Sequence, residues 1–110
     1  MPNNKYQTYK DKGGKFRFRL LAGNSQVILS SEGYNSKAAC MNGIDSVKRN
    51  GTDKGKFIIK QAKNGKHHFN LVAANKEVIG SSQMYASRAT ARKGIASVMR
   101  NTKSKIEDKS

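Results

Sequence analysis

The fold of this chain is decided by a stretch of sequence that occurs twice. Residues 14–50 read GKFRFRLLAGNSQVILSSEGYNSKAACMNGIDSVKRN, and residues 65–101 read GKHHFNLVAANKEVIGSSQMYASRATARKGIASVMRN. The two stretches lie 51 positions apart and align without a gap, with 19 identities among 37 pairs. A match of this length indicates that one structural unit was duplicated, so each residue has a counterpart 51 positions away in the other repeat.

The repeated unit is too small to be stable alone. The chain has 110 residues, and a unit of about 50 residues buries too little apolar surface to fold comfortably by itself. We therefore predict one domain over residues 1–110, built of two repeats at residues 5–51 and 56–107 that share a core. Because the repeats supply both halves of that core, we expect a monomer.

Each repeat begins with segments of alternating polarity. Residues 15–20 place apolar side chains at every second position between basic ones, which is typical of a half-buried strand, and residues 66–71 keep the pattern. Turn residues, Asn64-Gly65 among them, separate these segments from their neighbours. The predicted strands are residues 5–10, 15–20 and 26–30 in the first repeat, and residues 56–61, 66–71 and 77–81 in the second.

A helix follows the three strands of each repeat. Ser36 and Ser87 are suited to cap helices at residues 36–50 and 87–101, because a serine oxygen accepts hydrogen bonds from the free amides of a first turn. One apolar stripe runs along each helix, and Gly51 predicts a left-handed stop for the first. Ile106 is suited to anchor a short final strand. The stripes are Cys40, Ile44 and Val47, and Ala91, Ile95 and Val98.

Three strands and a helix, twice over, predict an α+β fold. Each strand and each helix has a single apolar side, so both helices should cover one face of an antiparallel sheet. We expect the two helices to be related by a pseudo-twofold axis, because the repeats align without a gap.

The repeated residues resemble a known family. The runs at residues 14–20, 30–34 and 43–47, with their counterparts in the second repeat, are similar to the duplicated branch of the YegP-like family of small bacterial and archaeal proteins. The resemblance covers residues 5–101. It implies two tandem β3-α-β units in one continuous sheet, with the terminal strand of each unit exchanged onto the other. It implies no enzymatic activity, cofactor or binding residue.

Charge is the strongest clue to function. The chain carries 22 Lys and Arg against 7 Asp and Glu, a net charge of +15, and both repeats share the excess. Such a charge is typical of proteins that bind polyanions such as nucleic acid, although a surplus of lysine also keeps small proteins soluble. We find no membrane-spanning stretch or signal peptide, and the single cysteine favours a cytoplasmic location.

The residues that could support catalysis or bind metal do not form a recognisable set. Cys40 lies on an apolar helix stripe, and adjacent His67 and His68 point to opposite faces of a strand, so they cannot share a metal ion. None of the seven carboxylates aligns with an acid in the other repeat. We therefore predict no catalytic residue, cofactor or metal site, and we rank an enzyme last among the functional classes.

Gly43 and Gly94 interrupt the predicted helices at counterpart positions. Glycine inside a helix costs about 1 kcal/mol relative to alanine, so its presence in both repeats favours close packing of the helix over approach of a ligand to the backbone. Tyr34 and Tyr85 should close the edge of the core with their hydroxyls hydrogen-bonded. The alternative is that these rings are exposed and stack on bases.

The sharpest candidate site is the polar face of the sheet. We expect basic side chains to project there from neighbouring strands, opposite the helices, where they could follow a nucleic-acid backbone weakly and without sequence preference. The alternative function is a structural or protein-interaction module that uses the same open face. The Lys-rich stretch at residues 54–66 is a second location for polyanion binding. The candidate residues are Lys15, Arg17, Arg19, Lys66 and His68.

Overall fold

The computed structural model describes residues 4–109 as a seven-stranded sheet with two α-helices. The sheet order is β4-β5-β6-β3-β2-β1-β7. A single 3-10 turn, Lys54–Lys56, precedes β4. In chain order the elements are β1 Lys5–Lys10, β2 Phe16–Leu21, β3 Val27–Ser31, α1 Lys37–Asn50, β4 Phe57–Gln61, β5 His67–Val72, β6 Val78–Ser81, α2 Arg88–Asn101 and β7 Lys105–Asp108.

The pseudo-twofold relation is visible at the centre of the sheet. β3 and β6 occupy counterpart positions in the two repeats and pair with each other antiparallel, with Ser30 opposite Ser81. On either side of this pair lie β2 and β5, followed by β1 and β4. The predicted continuous sheet of two β3-α units is therefore confirmed.

Both helices cover the same face of this sheet. Residues opposite one another on paired strands project to one side, so Arg19, Ser30, Ser81 and Asn70 share a face. Phe18 precedes Arg19 and Phe69 precedes Asn70, and successive side chains of a strand point to opposite faces. Both phenylalanines therefore project to the other side of the sheet. Gly43 of α1 lies on the Phe18 ring and Gly94 of α2 lies on the Phe69 ring, which confirms the predicted arrangement of the helices. The surface opposite the helices is called the open face below.

One hydrophobic core joins the two repeats. Phe18, Leu20, Phe69 and Leu71 are fully buried between sheet and helices. The predicted stripes supply the helix side of this core, and the close approach of both helices depends on the glycines. The buried helix residues are Cys40, Gly43, Ile44 and Val47 in α1, and Ala91, Gly94, Ile95 and Val98 in α2.

Both helices begin with the predicted serine caps, whereas the end of α1 differs from the prediction. Ser36 Oγ accepts a hydrogen bond from the Ala39 amide at 3.1 Å, and Ser87 Oγ accepts one from the Thr90 amide at 3.2 Å. The predicted left-handed stop at Gly51 is wrong, because this residue has φ −72°. Glycine is required there for space: a Cβ would lie 2.6 Å from Cγ2 of Thr102, its counterpart at the end of α2.

Strand exchange takes place once rather than twice. β7 of the second repeat pairs with β1 of the first, as predicted, although the two strands run parallel in an otherwise antiparallel sheet. The first repeat donates no such strand, so the predicted exchange of both terminal strands is wrong in this detail. The reason is chain connectivity: residues 51–56 are consumed in joining α1 to β4 and cannot also run beside that strand.

Candidate polyanion-binding face

The five predicted site residues divide between the two halves of the open face. Arg17 and Arg19 project from β2. The side chains of Lys15 and Arg17 both lie beside Gly33. His68 projects from β5, directly opposite Lys60 of β4. We call Lys15, Arg17 and Arg19 the first basic cluster, and Lys60, Lys66 and His68 the second basic cluster.

The two clusters are farther apart than the sequence suggested. β2 and β5 are not neighbours, because β3 and β6 lie between them. Three strand spacings of about 4.8 Å separate their axes by roughly 14 Å. β2 and β5 also run in opposite directions, so Lys15 and Lys66 lie at opposite ends of the sheet. The open face therefore carries two basic clusters related by the pseudo-twofold axis.

The first basic cluster is held by contacts within the protein. Arg17 Nε lies 2.6 Å from Asp11 Oδ2, and this hydrogen bond lowers the pKa of the Asp11 carboxyl below its ordinary value. Arg19 Nε donates to Gln7 Oε1 at 2.8 Å, and its guanidinium lies 5.0 Å from the centre of the Tyr9 ring. Both arginines are thus fixed in position before any ligand arrives.

These contacts continue to the edge of the sheet. Gln7 Nε2 donates to Glu107 Oε1 at 2.9 Å, and Lys5 Nζ lies 3.0 Å from Glu107 Oε2. The hydrogen bonds from Lys5 and Gln7 lower the pKa of the Glu107 carboxyl. Arg19 is therefore linked through Gln7 to a carboxylate of β7.

The second basic cluster is less constrained. Lys60 and Lys66 are exposed, and neither forms a salt bridge to any residue between 4 and 109. His68 Nδ1 is buried without a hydrogen-bond partner among the same residues. Sequence reasoning did not single out Lys60, although its penultimate position in the predicted strand at residues 56–61 was a sufficient signal.

A shallow groove of about 560 Å³ lies between the two clusters on the pseudo-twofold axis. Arg17 lines one side, and the counterpart pair Ser30 and Ser81 lines its floor. Ser81 Oγ donates to Asn70 Oδ1 at 2.7 Å, so this hydroxyl is already occupied. Glu32 also lines this groove, which is an open depression between the clusters rather than an enclosed pocket.

Two further grooves, called the side grooves, are each other's counterparts, and each lies between the helix of one repeat and the turn and central strand of the other. One, of about 360 Å³, is lined by Tyr34, Asn42, Glu32 and Glu77. The other, of about 330 Å³, is lined by the corresponding residues Tyr85, Lys93, Gln83 and Gln26. The two grooves are similar in position and volume, whereas their chemistry differs.

The tyrosines pack as predicted but lack the predicted hydrogen bond. The Tyr34 ring stacks on Phe18 with 6.2 Å between centroids, and the Tyr85 ring stacks on Phe69 at 6.1 Å. Their hydroxyls lie over the helix glycines, and in the part of the chain that the structure describes neither hydroxyl has a hydrogen-bond partner. Burial raises the pKa of the Tyr34 hydroxyl.

The remaining reactive groups lie apart from the open face. Cys40 is fully buried in the core, and burial raises the pKa of its thiol. Within residues 4–109 no three His, Cys, Asp or Glu side chains are grouped so that they could hold a metal ion. Neither helix in this part of the chain is long and apolar enough to cross a membrane.

Comparison with known proteins places this architecture in a family. A domain of unknown function, DUF1508, matches residues 11–56 and again residues 62–108. A UPF0339 protein from the ptx operon 5′ region of Stutzerimonas stutzeri is 50% identical over 93 residues, covering 84% of each chain. YegP of Escherichia coli O157:H7 is 48% identical over 96 residues, covering 87% of each chain.

Solved structures agree with the sequence matches. The solution NMR structure of E. coli YegP, a protein of unknown function, superposes with a TM-score of 0.92 at 42% identity, covering 99% of this chain and 95% of that one. The solution NMR structure of a UPF0339 protein from Shewanella oneidensis gives 0.89 at 46% identity, covering 96% and 90%. The resemblance seen in the repeated residues is thus confirmed: the chain belongs to the UPF0339 family, which includes YegP, and carries two copies of the DUF1508 domain.

Proposed function

We propose that this protein is a non-enzymatic binding module that holds polyanions, single-stranded nucleic acid among them, on its open face. The observation that carries the proposal is the charge of that face. Strand register and side-chain contacts place at least seven cations there against three carboxylates, Asp11, Glu32 and Glu107. The cations are Lys5, Lys15, Arg17, Arg19, Lys60, Lys66 and Lys105.

The same face predicts that such binding is weak and independent of sequence. Proteins that grip single strands tightly combine a basic groove with exposed aromatic rings on which bases stack. Phe18 and Phe69 are fully buried here, and the Tyr9 ring lies under the Arg19 guanidinium. Contacts are therefore limited to phosphates, which position a nucleic acid but carry no sequence information.

The second basic cluster contributes most of the affinity in this proposal. Arg17 must release Asp11 before it can neutralise a phosphate fully, whereas Lys60 and Lys66 are exposed and form no salt bridge within residues 4–109. The Lys-rich stretch at residues 54–66, the second location considered from sequence, includes both lysines. The two candidate locations thus meet on one half of the open face.

The test is affinity for a mixed-sequence single-stranded oligonucleotide at two salt concentrations. Neutralised phosphates release counterions, so binding should weaken steeply as salt rises. Lys60→Glu with Lys66→Glu should weaken binding of all sequences alike and flatten the salt dependence. Arg92→Glu with Arg100→Glu, which makes the same charge change on exposed positions of α2, is the matched control and should have a smaller effect.

Two results would count against the proposal. If no binding is detectable at low salt, the charge serves solubility, and the open face is better understood as a protein-interaction surface. If the two double variants lose affinity equally, net charge rather than the open face governs binding.

A further inference from the structure

The outer edge of β4 is the counterpart of an edge that is filled elsewhere in the molecule. β1 and β4 occupy equivalent positions at opposite ends of the six antiparallel strands. β7 pairs with the outer edge of β1. Within residues 4–109 no strand pairs with the outer edge of β4.

The backbone of β4 presents hydrogen-bonding groups along this edge. The Ala62 amide donates to the Lys66 carbonyl at 2.7 Å, which fixes the alternation of the β4–β5 ladder. Ile58 and Lys60 therefore bond towards β5, whereas Ile59 and Gln61 direct their amides and carbonyls outwards. In the first repeat, Thr8 occupies the position of Ile59, and its carbonyl accepts a hydrogen bond from Lys109 at 2.8 Å.

The contacts of β7 show which side chains suit such an edge. Ile106 packs against the core, Glu107 bonds to Lys5 and Gln7, and Asp108 pairs with Lys37. An apolar residue followed by two acids thus satisfies the edge of β1.

The same pattern suits the edge of β4. Lys56 is the counterpart of Lys5, and Arg88 is the counterpart of Lys37, so both basic contacts are retained. Ile58 and Ile59 replace Gln7 and Thr8, so the side-chain hydrogen bonds that those two residues donate to Glu107 and Asp108 are not retained. Ile58 is 44% exposed and borders a groove of about 390 Å³. The β4 edge is therefore basic like that of β1, and more apolar.

The geometry points to the outer edge of β4 as a docking site for an extended segment of a partner protein that carries an apolar residue followed by two acids. The segment adds an eighth strand parallel to β4, as β7 does beside β1. Its two acids meet Lys56 and Arg88. This site is distinct from the polyanion-binding face, because it depends on backbone hydrogen bonds and a strand register rather than on charge alone.

A second copy of this chain is a poorer occupant. Pairing two β4 edges would bring Lys54, Lys56 and Lys60 of one copy against the same residues of the other, and like charges opposite each other destabilise a strand pair. Lysines on an edge strand also discourage unspecific pairing between identical sheets. Charge complementarity thus favours an acidic partner.

The test uses a blocked peptide with the β7 sequence of residues 102–109, in which the three lysines are replaced by glutamate: Thr-Glu-Ser-Glu-Ile-Glu-Asp-Glu. Titrated to millimolar concentration into the isotopically labelled protein, it should shift the amide resonances of Ile59 and Gln61 and slow their hydrogen exchange. An oligonucleotide titrated in parallel should affect the open face instead.

Backbone methylation of the peptide gives a matched control. In the first repeat Thr8 lies opposite Asp108, and the Thr8 carbonyl accepts a hydrogen bond from the amide of Lys109. Only alternate residues of the added strand, those at positions 107 and 109, therefore direct their amides to the edge. Methylation of the amides at the positions of residues 107 and 109 should abolish binding, and methylation at positions 106 and 108 should leave it intact. Simple charge attraction would not distinguish these peptides.

Charge reversal on the protein completes the test. Lys56→Glu with Arg88→Glu should reduce peptide affinity about tenfold, which corresponds to about 1.4 kcal/mol. Lys12→Glu with Arg49→Glu, in the β1–β2 turn and on α1, should reduce it less. The proposal is overturned by the absence of binding at millimolar peptide, by equal binding of the two methylated peptides, or by dimerisation of the protein through β4.

Discussion

Gly43 and Gly94 determine how closely the helices approach the sheet. A Cβ on Gly43 would lie 2.8 Å from Cζ of Tyr34 and 2.9 Å from a carbon of the Phe18 ring. On Gly94 it would lie 2.6 Å from Cζ of Tyr85. The helix interior accepts glycine because two aromatic rings occupy the space that a larger residue would need.

We predict that Gly43→Leu and Gly94→Leu each lower the free energy of unfolding. Overpacking a core costs about 1–3 kcal/mol, whereas leucine recovers under about 1 kcal/mol of helix propensity relative to glycine. Denaturant midpoints should therefore fall in both variants. Ala38→Leu and Ala89→Leu, at exposed counterpart positions on the same helices, are the controls and should leave the midpoint nearly unchanged.

Single residues were the hardest features to predict from sequence. The ion pair between Arg17 and Asp11 was missed because an alternating pattern gives the face of a side chain but not its neighbours on the next strand. The signal was nevertheless present: in a hairpin closing at Asp11 and Lys15, Arg17 is the next residue on the same face as Asp11. Gly51 was misinterpreted because its close neighbour, Thr102, is distant in sequence.

At the scale of elements, β7 is the strand that has no counterpart in the other repeat. Six strands and two helices were predictable because each has a regular period and an equivalent in the other repeat. The parallel pairing of β7 was not, because the corresponding stretch of the first repeat is a connection rather than a strand. A repeat comparison therefore fails where chain connectivity forces the two halves to differ.

We predict that removing residues 105–110 destabilises the fold by roughly 2 kcal/mol. The loss combines the partly buried Ile106 with the hydrogen bonds of a four-residue strand. Denaturant unfolding measures the loss, and faster hydrogen exchange in β1 locates it. Glu107→Gln with Asp108→Asn keeps the strand and should cost under about 1 kcal/mol, because exposed ion pairs contribute little. Unchanged protection in β1 after truncation would show that β7 is dispensable.

For the whole molecule, a net charge of +15 acts on stability and on binding in opposite directions. Like charges repel within the compact state and destabilise it, and salt screens that repulsion. The same screening weakens attraction to a polyanion. Because the two repeats complete one core, we also expect the chain to remain monomeric over the whole range of salt.

We predict that raising sodium chloride from about 20 to 200 mM raises the thermal unfolding midpoint of the monomer, since the Debye length falls from about 20 Å to below 10 Å. Light scattering at each concentration checks that the protein stays monomeric. A falling midpoint would show that local ion pairs, such as that between Lys5 and Glu107, outweigh the general repulsion.

The paired side grooves have a consequence for the history of the molecule. Identical subunits in a symmetric assembly share one gene, so a substitution in one groove appears at once in the other. Tandem fusion removes that restriction. Here one groove carries two glutamates where the other carries two glutamines, and Asn42 of the first groove corresponds to Lys93 of the second. Once the halves were joined, each groove was free to acquire a ligand preference that its twin does not share.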